Sequence, residues 1–281
     1  MNSKLIYDVG MYDGADTGYY LKKGFQVISI EADPTLVEKA TKKFSKYIQE
    51  GKLKIINQGI ASEDGYADFF INEVNPFWNS FDEAISSREG LPYHKIKIRC
   101  NTFGNVIQEY GVPYYLKIDI EGHDKMCLEA LNKKDLPQFV SFEADNEGNI
   151  EMLDIARDLG YSKFKCINQN TFLPLEDTYK THIDPSKLST SELIFFKLKA
   201  GQSIPAKILR KLKVRDLAKA LLNPPLYLQF YRGSSGPFGN DLEGQWLSYE
   251  NAKAIYSRCY EDYLKKGKNN YSFWCDFHAT W

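Results

Sequence analysis

Tyr7-Asp8-Val9-Gly10-Met11-Tyr12-Asp13-Gly14, followed by Ile28-Ser29-Ile30-Glu31-Ala32-Asp33-Pro34, is the part of the chain whose reading decides the fold. An apolar run ends in an acid and a glycine. A second glycine opens a helix, and a second apolar run ends in another acid. This is the layout of a nucleoside-binding βαβ unit: the first turn lets backbone approach a ligand, and the acid after the second strand holds ribose hydroxyls. The spacing of Gly10 and Gly14 is not that of the G-x-G-x-x-G fingerprint. With no pyrophosphate cradle, the better ligand is an adenosine without phosphates. The competing reading is an ordinary βα turn with a solvated strand end at Glu31. Asp33 reads as the cap of the next helix rather than a ligand contact.

Outward from this unit, strand and helix alternate. Residues 4–9 and 26–31 read as buried parallel strands, because their apolar runs lack strict alternation. A helix over 16–24 lies between them. Pro34 through Gln49 reads as a second helix with proline in its first turn, and Leu53–Ile56 as a third strand. Strands are expected at 66–71, 96–100, 114–120, 139–143 and 162–167, with helices over 102–110, 124–131 and 149–159. Leu193–Leu198 would close the sheet in a hairpin. A doubly wound α/β sheet follows from this alternation. The pattern breaks near Gly201. A basic amphipathic stretch from Pro205 to Leu222 ends at Pro224-Pro225, and the loop Arg232-Gly233-Ser234-Ser235-Gly236-Pro237-Phe238-Gly239 follows. Last come a helix from Tyr249 to Lys265 and an aromatic tail.

The chain has 281 residues, enough for one large core or a core plus a small appendage. Its net charge of −1, from 36 basic and 37 acidic residues, gives no general attraction to nucleic acid or acidic membrane. Five cysteines, widely spaced and without a C-x-x-C pair, suggest neither a disulfide framework nor a zinc site, and a reducing cytoplasm is the simplest home. No signal peptide is read at the start, and no apolar run approaches the roughly 18 residues of a membrane helix.

A second chemical segment is Lys117-Ile118-Asp119-Ile120-Glu121-Gly122-His123-Asp124. A strand delivers Asp119, Glu121 and His123 near its carboxyl end, and Gly122 permits a sharp turn into a helix. Such a group could take a proton, bind a divalent cation or position a hydroxyl. The plainer alternative is that Asp124 caps the helix and His123 packs against the sheet edge. Residues 232–239 read either as a mobile lid with backbone amides for an anionic group or as a surface turn. Phe77-Trp78-Asn79-Ser80 lies where a ligand wall could form, although core packing explains Trp78 more simply. The basic stretch at 207–219 reads as a solvated face, or else as a dock for phospholipid or a phosphorylated carrier.

Together these segments resemble the FkbM-type S-adenosylmethionine-dependent methyltransferases. The resemblance rests on Asp8-Val9-Gly10 with Gly14, on Glu31-Ala32-Asp33-Pro34, on Gln58-Gly59-Ile60-Ala61-Ser62, and on Lys117 through Asp124; it covers roughly residues 4–200. Met11-Tyr12-Asp13 and Thr102-Phe103-Gly104-Asn105 depart from the family's usual filling. The resemblance implies a Rossmann-like, seven-stranded, mostly parallel sheet in a cofactor-binding domain over 1–200. Residues 201–281 would be a helical appendage and possible substrate lid. It implies S-adenosylmethionine as cofactor, held by Asp8, Gly10, Gly14, Glu31, Ala32, Ala61 and Asp119. The reaction would be O-methylation of a sugar, glycan or small-metabolite hydroxyl, with His123 as base and Asp119 orienting it. Glu121, Ser235 and Phe238 would touch the acceptor. Mg²⁺ is possible, but no metal-ligand set is read from the sequence. Nucleic acid is not expected as a partner; a homo-oligomer is possible. The rival readings are a nicotinamide-dependent oxidoreductase on the same sheet and a non-catalytic glycan- or partner-binding module.

Overall fold

A computed structural model describes residues 2–144, 148–169, 172–176, 230, 234–266 and 273–281. The first half of the chain runs β1 (Asn2–Val9), α1 (Ala15–Lys22), β2 (Gln26–Glu31), α2 (Pro34–Lys43), α3 (Ser45–Gln49), β3 (Leu53–Asn57), β4 (Gly59–Ile60), β5 (Gly65–Asn72), α4 (Glu83–Ser86), β6 (Tyr93–Asn101) and α5 (Phe103–Tyr110). The second half runs β7 (Pro113–Ile118), α6 (Asp124–Glu129), β8 (Phe139–Glu143), α7 (Glu151–Leu159), β9 (Lys163–Asn168), β10 (Leu173–Pro174), α8 (Tyr249–Lys266) and β11 (Cys275–Thr280).

The main sheet has the order β10-β9-β11-β8-β7-β1-β2-β3, and a second sheet has the order β4-β6-β5. Pairing is parallel from β3 through β2, β1 and β7 to β8, while β11 runs antiparallel to both β8 and β9. The order reverses direction at β1, between β2 and β7. In open sheets of this kind ligands lie beyond the strand tips at such a switch point. The doubly wound Rossmann-like fold expected from the sequence is therefore present.

The strand count needs correction. The main sheet has eight described strands rather than seven, because Leu173-Pro174 adds a short antiparallel edge to β9. The antiparallel strand beside β8 comes from residues 275–280, within the stretch read as a helical appendage. Cys275, Phe277 and Ala279 bury their side chains in the large apolar cluster, while Asp276, His278 and Thr280 are buried on the opposite face. Two buried faces hold this strand in the interior. Leu193–Leu198, the basic stretch at 207–219 and Pro224-Pro225 lie outside the described residues.

Local chemistry explains the elements that frame the switch point. Asp33 Oδ1 accepts from the Thr35 amide at 2.8 Å and caps α2, with Pro34 in the first turn. The helix expected over 34–49 is interrupted at Phe44, whose φ of −108° is not helical. The reason is packing: the Phe44 ring lies where a side chain at Gly14 would stand, 2.6 Å from its ideal Cβ, and also faces Gly18. Alternation along the strands sorts the core into two layers. Leu5, Tyr7 and Val9 join one apolar cluster, while Ile6 joins the other with Tyr20, Tyr115 and Phe238. The five cysteines are buried, and none is in a disulfide.

Candidate cofactor and acceptor site

A cleft of about 900 Å³ opens at the switch point, within the range of small-molecule sites. One end is made by Gly10, Tyr12, Glu31, Ala32, Leu36, Gln58, Gly59 and Ile60. The other is made by Asp119, Glu121, Asp124, Lys125, Glu143, Glu151, Met152, Phe273 and Trp274. Phe77, Trp78, Phe81, Ile85 and Arg88, from the segment joining β5 to β6, form a wall.

The first end is built by close approach of two strands. Asp119 donates its amide to Val9 O at 3.0 Å, and Gly10 donates to Ile30 O at 3.0 Å. Gly10 has φ 82°, and a Cβ there would stand 1.7 Å from Asp119 O, so only glycine fits. Glu31, at the tip of β2, is buried. Its Oε2 accepts from the Tyr12 amide at 2.8 Å and its Oε1 from the Asp33 amide at 2.9 Å. Burial pushes its carboxyl up to about 7, partly offset by those two amides. Each oxygen keeps a further lone pair for a hydroxyl donor.

Behind this rim lies a charged network that meets the cleft at Asp119 and Gly10. Lys117 Nζ sits 3.2 Å from Asp8 Oδ1 and 3.4 Å from Asp119 Oδ2, and donates to Gly10 O at 2.6 Å. Burial opposes its charge, yet Asp8, Asp119 and Asp16 hold the ammonium well above its ordinary value. Asp8 also accepts from Thr17 Oγ1 at 2.6 Å. Asp8 therefore braces the rim from below and is not among the cleft-lining residues.

The second end is acidic. Burial, then the charge of Asp119, raises Glu121 to about 8 and Asp124 to about 7; Glu143 is driven well above the carboxylate range by burial and by Glu121 and Asp119. Arg88 lies 4.0 Å from Glu121 Oε2 and opposes that rise. Glu121 has φ 39°, a strained setting for a side chain of its kind, and its carbonyl accepts from Ser80 Oγ at 2.9 Å. Asp124 Oδ1 accepts from the Ile120 amide at 2.8 Å and thereby fixes the turn that presents Glu121.

The structure brings Gly10, Glu31, Ala32, Asp119 and Glu121 to one cleft. Gly14 and Ala61 stand off it: Gly14 serves the Phe44 contact, and Ala61 donates its amide to Asn101 O at 3.1 Å. His123 is also off the cleft wall. Its ring stacks on Phe81, centroids 4.7 Å apart and planes 5° from parallel, and its Nδ1 lies 3.0 Å from Ile60 O. Ser235 and Phe238 sit elsewhere. Ser234 Oγ, Ser235 N (2.9 Å) and Gly236 N (3.3 Å) donate to Asp16. Phe238 stacks on Tyr115 at 4.0 Å. Residues 234–239 are buried, and the amides of Ser235 and Gly236 face the protein's own carboxylate. That is why they do not behave as an exposed lid.

Trp78 lines the cleft rather than the core. Tyr12, Arg88, Glu143, Phe273 and Trp274 are cleft residues that the sequence reading missed. Glu143 carried a usable signal: like Glu31 and Asp119, it is an acid at the tip of an apolar strand. Among the described residues, no group of three or more His, Cys, Asp or Glu side chains is arranged to hold a metal ion, and no helix is long and apolar enough to cross a membrane.

Residues 8–163 match the family model described as Methyltransferase FkbM domain. No curated protein matches the chain. Solved structures are similar at greater distance. Methyltransferase FkbM from Methylobacillus flagellatus KT is 18% identical, with a TM-score of 0.34, over 50% of this chain and 33% of that one. Precorrin-6y C5,15-methyltransferase from Geobacter metallireducens GS-15 is 11% identical, with a TM-score of 0.35, over 59% and 67%. A StiE segment named O-MT is 8% identical, with a TM-score of 0.39, over 99% and 68%. The match thus spans about a third of the Methylobacillus protein.

Proposed function

This chain belongs to the FkbM methyltransferase family, and from that premise we propose that it moves the methyl group of S-adenosylmethionine onto a hydroxyl of a sugar, glycan or small metabolite. The observation that carries the reading is Glu31: a buried carboxylate, fixed by two backbone amides and facing a cleft at the switch point. Its free lone pairs suit ribose hydroxyls, while Gln58, Gly59 and Ile60 offer a flat edge for a base. The donor set therefore fits a phosphate-free nucleoside.

When bound, the cofactor would be held by Glu31, Gln58, Gly59 and Ile60 and would supply an activated methyl group for transfer to the acceptor oxygen. The protein's share is to align the acceptor, exclude water and receive the hydroxyl proton. Asp119, Glu121 and Glu143 stand at the end of the cleft where that proton would be released. Positive charge entering the cleft favours their ionised forms. Glu121, poised near neutrality, is our choice of proton acceptor, in place of His123. The surplus of carboxylates over Arg88 and Lys125 suits a neutral or cationic acceptor better than a phosphorylated one.

Calorimetric titration with S-adenosylmethionine and S-adenosylhomocysteine tests the reading. Wild type should bind both. Glu31→Gln, which replaces one charged acceptor oxygen with an amide donor, should weaken binding roughly ten- to a hundredfold. Wild-type titrations without heat or competition would remove the cofactor assignment. Labelled cofactor incubated with glycan and metabolite extracts would then identify the acceptor.

A further inference from the structure

Tyr12 and Phe77 come from separate parts of the fold and meet at the cleft. Tyr12 lies in the β1–α1 turn, and Phe77 in a single 3-10 turn, Pro76–Trp78, that follows β5. Their rings stack with centroids 4.5 Å apart and planes 29° from parallel. Both line the cleft, and neither belongs to the three clusters of buried apolar residues. The contact can therefore part without unpacking a core.

Each ring is held from behind. Tyr12 has φ 52°, a conformation that an aromatic residue adopts only where its surroundings enforce it, and its amide donates to Glu31. The Phe77 turn is tied on both sides. Asn72 Oδ1 accepts from the Val74 and Asn75 amides at 2.9 and 2.6 Å, and Asn79 Nδ2 donates to Asp33 Oδ2 at 3.1 Å. Asp33 in turn donates its amide to Glu31 at 2.9 Å. Both rings are thus anchored to the same β2–α2 junction that presents the carboxylate for the ligand.

We propose that Tyr12 and Phe77 form an aromatic bar across the cleft that retains the nucleoside cofactor and sets its rate of release. The proposal rests on the cofactor reading above. A ligand on Glu31 lies beside a bar whose Tyr12 half hangs on that same carboxylate, so occupancy and closure support each other. An aromatic pair is worth up to about tenfold in an equilibrium or a release rate.

Stopped-flow fluorescence of the full chain with S-adenosylhomocysteine tests it, since Trp78 and Trp274 both stand on the cleft wall. Tyr12→Ala and Phe77→Ala should each speed release about tenfold. The double variant should be no faster than either single one, because one bar is removed either way. Tyr12→Phe should restore slow release. Phe77, 36% exposed, carries the test if Tyr12→Ala fails to fold. Release rates unchanged in both single variants, or effects that multiply in the double, would overturn the bar while leaving the cofactor reading intact. A wild type that binds no S-adenosylhomocysteine would overturn both.

Discussion

The β1–α1 turn and the loop at 234–239 both set glycines and small polar residues beside regular structure, yet only the first opens on the cleft. Gly10 of the turn stands on the cleft wall, and the turn's Tyr12 amide donates to Glu31, the cleft-lining acid at the tip of β2. In the loop, the amides of Ser235 and Gly236 and the hydroxyl of Ser234 all converge on buried Asp16. That loop is an anion-binding concavity whose anion is part of the protein. The difference teaches that an amide-rich loop is a ligand site only when no carboxylate of the same chain has already claimed its donors.

The contrast breaks most visibly at Asp16. Asp16→Ala leaves the Ser234 hydroxyl and the Ser235 amide without their acceptor, at about 1–3 kcal/mol each when unsatisfied, while the Gly236 amide keeps Ser234 Oγ at 3.1 Å. Burial already raises the Asp16 carboxyl to about 6, which offsets part of the loss, so a net cost of about 2–4 kcal/mol is expected. The melting temperature should fall by roughly 3–7 °C, while S-adenosylhomocysteine affinity in the folded protein stays near wild type. An unchanged melt with lost affinity would reverse the roles assigned to the two loops.

A smaller effect comes from pH. Asp16, Glu31, Asp124 and Glu121 have folded values raised to about 6, 7, 7 and 8, first by burial. Carboxyls in the unfolded chain lose their protons near pH 4. Between about pH 4 and 8 the folded state therefore binds more protons than the unfolded one, and stability falls as pH rises. Ligand-free protein should melt several degrees lower at pH 8 than at pH 5, and a cationic ligand in the cleft should narrow the gap. A melting temperature that is flat or rising across this range would contradict the charge assignment.

The smallest effect concerns His123. His123→Phe keeps the stack on Phe81 and loses the contact with Ile60 O, at a cost of about 1 kcal/mol. S-adenosylhomocysteine affinity should not change. A large loss of affinity would return the histidine to the site.

The alternation of strand and helix was legible because apolar periodicity and capping residues act locally. Pro34, Asp33, Thr102 and Gly160 mark helix ends in the sequence and do so in the fold. The cleft was partly legible for the same reason, since an acid at the tip of an apolar strand announces itself, as Glu31 and Asp119 do. The position of the His123 ring was not, because its stacking on Phe81 depends on a residue some forty positions away. Residues 275–280 were hard to read as a strand because Asp276, His278 and Thr280 occupy a buried polar face. Buried on both sides, the segment lacks the apolar run that usually marks an interior strand.

That segment has a consequence for how the molecule is made. Among the described residues, β11 is the strand that joins β9 to β8 and the parallel part of the main sheet, and it is synthesised about a hundred residues after β9. A chain emerging from the ribosome therefore carries two unsatisfied strand edges, on β8 and β9, through much of its elongation. Such edges invite pairing with other chains. Closure of these two edges by a sequence-distant strand is a slow kind of pairing.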